Sequence, residues 1–397
     1  MRLGTANAYD STLANLTTRQ AGLADLQEKL SAGKRVLRAS DDPVGAAQAE
    51  RAMNRTARIE TEQRALNIQR NAVAMAEGTL GDATSALQTL RELIISANDG
   101  GYAELNRTSI AGQMRSLRDQ LFNYANQQDS NGIPLFGGLG SLSDPFTDVI
   151  TGVTFQGLPG QRTSTATTIP SVMDGQAVWM NVPTGNGVFN IGLGGTNSGT
   201  LWTDTGMVLT ATAATNYSVT FTVDPVTQAA TYDVVDNTPP VATIVTAQPY
   251  VDGQSIQFGG ISFIAKGTPA NGDTLQISPS TKTSLFTVLD AAINSIDGSK
   301  SDAPLAHAVA LALTQIDAGM ERIQSARGVA GDLLNRADRI ESRQEGKLEQ
   351  LASDRSRAED MDMVKGISDF NNQQTAYDVA LKTYAQVQRL SLFNYIG

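Results

Sequence analysis

Residues 363–395 read MVKGISDFNNQQTAYDVALKTYAQVQRLSLFNY, and the spacing of their larger side chains decides the fold. Ile367, Phe370, Gln374, Tyr377, Leu381, Tyr384 and Gln388 recur at alternating steps of three and four. That is the spacing of a helix that lays one narrow stripe along a partner helix. Asn371, Asn372, Gln373, Lys382 and Arg389 fall off the stripe. A helix of this kind buries little by itself, so its stability must come from packing against something else. The beginning of the chain carries a matching stripe: Tyr9, Leu13, Leu16, Gln20, Leu23, Gln27 and Leu30. The candidate assembly seam is therefore Tyr9, Leu13, Leu16, Leu23 and Leu30 at one end with Ile367, Phe370, Tyr377, Leu381 and Tyr384 at the other. Both stripes are expected to be poorly buried in a free monomer and covered when copies pack side by side.

Composition narrows the function. The chain has 397 residues, with 30 Lys and Arg against 40 Asp and Glu, a formal net charge of −10. That balance argues against nucleic acid or anionic lipid as a partner, both of which need basic surface. With no cysteine, disulfides, thiolate metal sites and Cys nucleophiles are excluded. No apolar run approaches the ~20 residues of a membrane span. The N-terminus is interrupted early by Asn7, Asp10, Asn15, Thr17 and Thr18, which is not the pattern of a cleaved signal peptide. If the protein is exported, that is not the expected route. The single histidine, His307, lies in an Ala/Leu-rich helical run and reads as an ordinary helix-face residue, since it cannot supply a His-rich metal site alone. No cofactor is expected.

Working inward from both ends gives a near-symmetric plan. The first stripe helix stops near Gly33, which tolerates the left-handed conformation after a helix. Gly33 to Pro43 reads as a linker and helix start, with Asp42 at the N-cap and Pro43 at the first helical position. Asp41 beside Asp42 also allows a carboxylate metal site, but no other acidic ligand is near in sequence. Lys34, Arg35 and Arg38 are expected to pair with the aspartates or with a neighbouring subunit. A long helix follows from about Val44 to Asn98, with apolar positions seven apart from Ile59 to Leu87. After the turn Asn98-Asp99-Gly100-Gly101, a second helix from about Leu105 to Gln128 returns antiparallel.

From Gly137-Gly138 to about Ser284 the composition turns to Thr, Val, Gly, Asn and Pro, with nine Asp, no Glu, two Lys and one Arg. Strands are expected at 177–182, 188–193, 217–223, 230–235, 242–247, 255–258, 261–266 and 274–277. Trp179, Trp202, Tyr217, Tyr232 and Phe258 read as the core of this acidic insert. Its Gly-rich spots lack phosphate-loop order and read as turns. Helix resumes at Leu285–Asp297 and from about Pro304 to Leu351. Asp354 to Asp362 reads as a joint, where Ser356-Arg357-Ala358-Glu359 fits a capping box that restarts the helix. The fold class is mainly α with an inserted β domain. Three domains follow: 1–42 with 354–397, 43–136 with 285–353, and 137–284. An enzyme would have to work through scattered aspartates such as Asp174, Asp204 and Asp233, which show no base–nucleophile spacing.

Several motifs together resemble one family. Leu30-Ser31-Ala32-Gly33-Lys34-Arg35-Val36 followed by Ser40-Asp41-Asp42-Pro43 is similar to the N-terminal motif of the bacterial flagellin superfamily. The opening Met1-Arg2-Leu3-Gly4-Thr5, the run Asn131 to Gly138 and the ending Leu390 to Ile396 resemble the hook-associated branch found at the hook–filament junction. The resemblance covers about 1–140 and 285–397, with a further likeness at 253–277. It implies a tubular assembly: terminal helices inside, long helices as wall, the β insert outward. It also implies flagellar type III export with a chaperone on the C-terminal region. The partners it implies are other copies in a ring, hook-associated protein 1 and flagellin. Flagellin itself, the bulk filament subunit, shares the helical plan and is the alternative.

Overall fold

The computed structural model describes residues 5–98, 104–141, 144–210, 216–298 and 302–396. Met1 to Gly4 and the turn at 99–101 lie outside the described residues, as do the side chains of Tyr9 and of 387–396. The chain divides into two compact units, residues 1–64 with 340–397 and residues 65–339.

The first unit is helical. Helix α1 (Thr5–Ala32) packs antiparallel on α6 (Met363–Ile396), with Gly22 against Gln373 and Leu30 against Gly366. A Cβ on Gly366 would lie 3.0 Å from Leu30 Cδ2 and 2.6 Å from Met361 Sδ, so glycine lets the helices meet closely there. The unit also holds the start of α2 (Pro43–Ala97) and the end of α5 (Asp302–Glu359). Helix α5 does not restart at Ser356, contrary to the capping-box expectation. It runs unbroken to Glu359, supported by the Arg355–Glu359 pair one turn apart at 2.6 Å and by Asp354 with Arg357. The restart comes at Asp362, whose Oδ1 accepts the N–H groups of Val364 and Lys365 at 3.0 and 3.2 Å.

In the second unit α2 and α5 run antiparallel, linked by Arg70–Asp338, Arg327–Glu77 and Arg91–Asp317 at 3.3, 2.6 and 2.9 Å. On α2, Leu66, Val73, Leu80, Leu87 and Ile94 are buried at steps of seven; on α5, Val309, Ile316, Ile323, Ala330 and Ala337 are. Two such rows facing each other make a coiled-coil seam. Helices α3 (Glu104–Ala125) and α4 (Leu285–Gly298) pack together. Arg118 on α3 bridges Asp290 on α4 and Asp148 at 3.0 and 2.5 Å.

The strands form small antiparallel sheets. A hairpin, β1 (Phe146–Val149) and β2 (Gly152–Phe155), has no counterpart among the expected strands. The run 177–182, expected as strand, is instead a π-helical stretch, Gln176–Met180, ahead of a two-residue β3 (Val182–Pro183). Asp174 Oδ1 accepts the Gln176 and Ala177 N–H groups, and that starts a helical turn. The turn buries Trp179, whose ring meets Phe136 and Phe286. Trp179 thus belongs to an aromatic cluster under α4 rather than to the sheet core.

The remaining strands are β4 (Phe189–Leu193), β5 (Trp202–Thr203), β6 (Met207–Val208), β7 (Tyr217–Val223), β8 (Ala230–Asp236), β9 (Ala242–Pro249), β10 (Ser255–Phe258), β11 (Ile261–Lys266), β12 (Thr274–Pro279) and β13 (Lys282–Thr283). The largest sheet has the order β4-β12-β7-β8-β9; β10, β11, β5 and β6 form a second, and β13 pairs β3. Side chains alternating along β7 and β10, among them Tyr217, Phe221 and Phe258, share one core with Tyr232. Trp202 is only half-buried, with Lys266 Nζ 5.1 Å from its ring centre. The edge strand β9 is almost wholly exposed. Its register against β8 breaks at Val234, Ala247 takes a φ of 50°, and Asp233 Oδ1 accepts the Ala247 N–H at 2.6 Å.

Candidate assembly interface

The α1–α6 pair does not cover its own apolar residues evenly. Leu16 is 9% exposed, whereas Leu13 is 49%, Ile367 50% and Leu381 47% exposed. Leu23, Leu30, Phe370, Tyr377 and Tyr384 are half-buried. Tyr9 lies on α1. Two helices can shield only the inner side of a stripe from each other; the outer side needs a third surface. Val364 and Val379, off the repeat, add to the open apolar area at 82% and 56% exposed.

Beside this face lies a joint sewn mainly through the backbone. Gly33 takes a φ of 68°, so the chain turns out of α1 without penalty. Arg35 and Val36 then donate their N–H groups to Glu359 O at 2.7 and 3.3 Å, and Met361 N–H returns to Gly33 O at 3.0 Å. Side chains reinforce it. Arg35 reaches Asp42 at 2.9 Å and the Ala358 carbonyl at 2.8 Å, and Lys34 reaches Glu359 at 3.1 Å. Arg38 pairs with Glu28 at 3.0 Å and Lys29 with Asp25 at 2.8 Å. Exposed pairs of this kind contribute little each; the backbone bonds fix the geometry.

The two aspartates have separate tasks. Asp42 Oδ1 accepts the N–H groups of Val44 and Gly45 at 3.1 and 2.9 Å, at the start of α2, which begins with Pro43. The Gly45 amide, then the Arg35 guanidinium, hold the Asp42 carboxyl below the usual carboxylate range. Asp41 Oδ2 accepts the N–H groups of Leu37 and Arg38, each at 3.1 Å. Those two bonds, Arg38 first, likewise lower its pKa. Carboxylates saturated by backbone donors and cations act as caps. In the insert, Asp204 Oδ1 accepts from Gly206 and Ile264, while Asp174 and Asp233 accept from backbone as described above; each pins a turn or bulge.

One residue has a larger part than its sequence context suggests. His307 is buried, not an ordinary face residue of α5. Its Nδ1 lies 3.2 Å from Thr203 Oγ1 and 3.1 Å from Thr203 O, and its Nε2 lies 3.1 Å from Ile191 O. It ties α5 to β4 and β5. Burial pushes its pKa below the usual histidine value. No local sequence signal marks it; only the insert's return onto α5 creates the site.

The helical plan, the joint and the insert can now be compared with known proteins. Residues 4–141 match the model of the bacterial flagellin N-terminal helical region. Flagellar hook-associated protein 3 of Salmonella typhimurium is 36% identical over 146 residues, 37% of this chain and 46% of that protein. Over its N-terminal third the chain is similar to the flagellin superfamily. The match spans about half the length of the curated relatives concerned. Solved structures extend the likeness. Hook-associated protein-3 from Legionella pneumophila superposes with a TM-score of 0.70 at 28% identity, covering 77% of this chain and 97% of that one. The flagellar junction protein FlgL from the same organism gives 0.68 at 29% identity, covering 73% and 99%. Flagellins match a similar length at lower identity. Over about three quarters of the chain the fold is therefore similar to that of solved hook-associated and junction proteins.

Proposed function

We propose that this chain is a structural adaptor of the bacterial flagellum, joining the hook to the flagellin filament as a ring of copies. The observation that carries the reading is the apolar outer side of the α1–α6 pair, where Leu13, Ile367 and Leu381 stand half out of water. Each would gain by burial against a neighbouring copy, and the joint at 33–42 and 360–362 would hold that face in a fixed attitude. In this reading the seam and the caps Asp41, Asp42 and Pro43 form the assembling part, 1–42 with 354–397. The long helices of 43–136 and 285–353 act as wall, and 137–284 projects. The neighbours would be hook-associated protein 1 and flagellin, reached after export with a chaperone's help, and the site of action the extracellular flagellum. The role is mechanical rather than catalytic. Among the described residues no helix is long and apolar enough to cross a membrane.

Electron microscopy of cells lacking the protein tests this. Hooks without filaments, and flagellin shed into the medium, are the expected result; full-length filaments in its absence would sink the proposal. Flagellin is the second reading, favoured by the shared N-terminal region. Purified copies that grow into long filaments unaided would favour it, whereas short rings favour the adaptor.

A further inference from the structure

The first unit is electrically balanced. Residues 1–64 with 340–397 carry seventeen Lys or Arg and seventeen Asp or Glu, so the whole net charge of −10 falls on 65–339, with thirteen against twenty-three. The balance is not local. A groove of about 340 Å³ between the start of α2 and the end of α5 is lined by Arg51, Arg55 and Arg357 with a single carboxylate, Asp354. Asp354 is taken by Arg357. Arg51 spends its Nε on the Ala47 carbonyl at 3.0 Å, and neither Arg51 nor Arg55 has an ion-pair partner among the described residues. Both are exposed and one helical turn apart.

The missing carboxylates sit elsewhere on the same unit. Glu345 and Glu349 are also exposed, one turn apart and without a partner among the described residues. Each lies nine residues before a groove residue of α5, Asp354 and Ala358 respectively. Nine residues are about two and a half turns, so the glutamates occupy the side of α5 opposite the groove. They cannot fold back into it. A second copy placed alongside can deliver them, and its i,i+4 spacing equals that of Arg51 and Arg55.

We propose that the Arg51–Arg55–Arg357 groove is the receiving half of a contact between copies, whose entering half is the Glu345–Glu349 pair of the next copy. The inference rests on the assembly reading above and adds its charge code. Because the two halves are different patches on opposite sides, the contact is head-to-tail and propagates from copy to copy. Opposed charges set which faces meet and how fast, while the apolar seam supplies most of the affinity.

The test uses three full-length charge-reversed variants: Arg51→Glu with Arg55→Glu, Glu345→Arg with Glu349→Arg, and all four together. Assembly is measured by sedimentation at low and high salt, and monomer folding by circular dichroism in urea. Either double reversal is expected to weaken assembly roughly tenfold or more at low salt with an unchanged urea midpoint. The fourfold variant is expected to return to within about threefold of the native chain. A native chain that assembles while both reversals assemble equally well, or a fourfold variant no better than either double, overturns this contact and leaves the assembly reading standing. A native chain that forms no assembly under any condition overturns both. Should a reversal shift the urea midpoint, Arg55→Gln with Glu345→Gln must still show the loss without the shift, or the contact is refuted.

Discussion

Replacing Leu13, Ile367 and Leu381 together by alanine, compared with Leu16→Ala, separates assembly from folding. Each is about half exposed in the single chain, at 49, 50 and 47%. Full burial of such a side chain is worth about 1.5–3 kcal/mol, so roughly half of that is still available to a neighbour. Over three positions the variant loses about 2–4 kcal/mol of assembly free energy per contact, or about 30- to 700-fold in the association constant. The half already buried in the single chain is lost as well, so the monomer is destabilised by about 2–4 kcal/mol over the three positions. Leu16→Ala is the control. Leu16 is 9% exposed between α1 and α6, and its truncation should cost the pair about 2–3 kcal/mol, towards the low end for a core leucine because the pair is covered on one side only. Urea denaturation reports folding stability, and sedimentation at a series of protein concentrations reports assembly. The reasoning is refuted if the triple variant assembles like the native chain, or if Leu16→Ala, at a similar loss of urea stability, weakens assembly as much as the triple variant does.

Three further outcomes are expected. Gln344 on α5 is 3% exposed and, among the described residues, neither amide atom has a hydrogen-bond partner; Gln344→Leu should raise stability by about 1–2 kcal/mol in urea, since an unpaired buried amide is costly. A Cβ on Gly45 would come within 2.7 Å of Asp42 Oδ2 and 3.0 Å of the Ala358 carbonyl, so Gly45→Val should displace the Asp42 cap and speed amide exchange in the first turn of α2, which Ala46→Val should not. The His307 pKa is lowered in the folded chain by burial, so the unfolded chain binds the proton more readily. Its contribution is complete above the unfolded pKa of ~6.5 and is lost as pH falls below it. Thermal melts from pH 7.5 to 5 should show a decline that His307→Gln, which is neutral throughout, reduces.

Much of the helical plan can be read in the sequence because helix periodicity is local. The sevenfold steps from Ile59 to Leu87 continue to Ile94 in the structure as one buried row. Strands 255–258 and 261–266 were legible to the residue, since Gly259-Gly260 marks the turn between alternating runs. The stretch at 176–180 was not, because Ala-Val-Trp-Met has strand composition while the deciding atom is the Asp174 carboxylate two residues upstream. The β1–β2 hairpin was missed because four-residue strands beside Asp144-Pro145 carry too short an alternation. At the candidate interface the stripe itself is visible in the sequence. How it divides is not: Leu13 and Leu16 are neighbours on one repeat, yet one is open and the other closed, and only the crossing of α1 with α6 decides that. His307 depends on contacts across more than a hundred residues, beyond any window of pattern.

The free edge of the five-stranded sheet bears on crowding. A straight, bare β9 on every copy of a densely packed ring would offer its unpaired amides to the sheet next door, and ladders could grow sideways into irreversible fusion. The register break at Val234, the left-handed twist at Ala247 and the carboxylate of Asp233 occupying that amide spoil the template. Neighbouring inserts can therefore be held at high local density and still remain separate bodies.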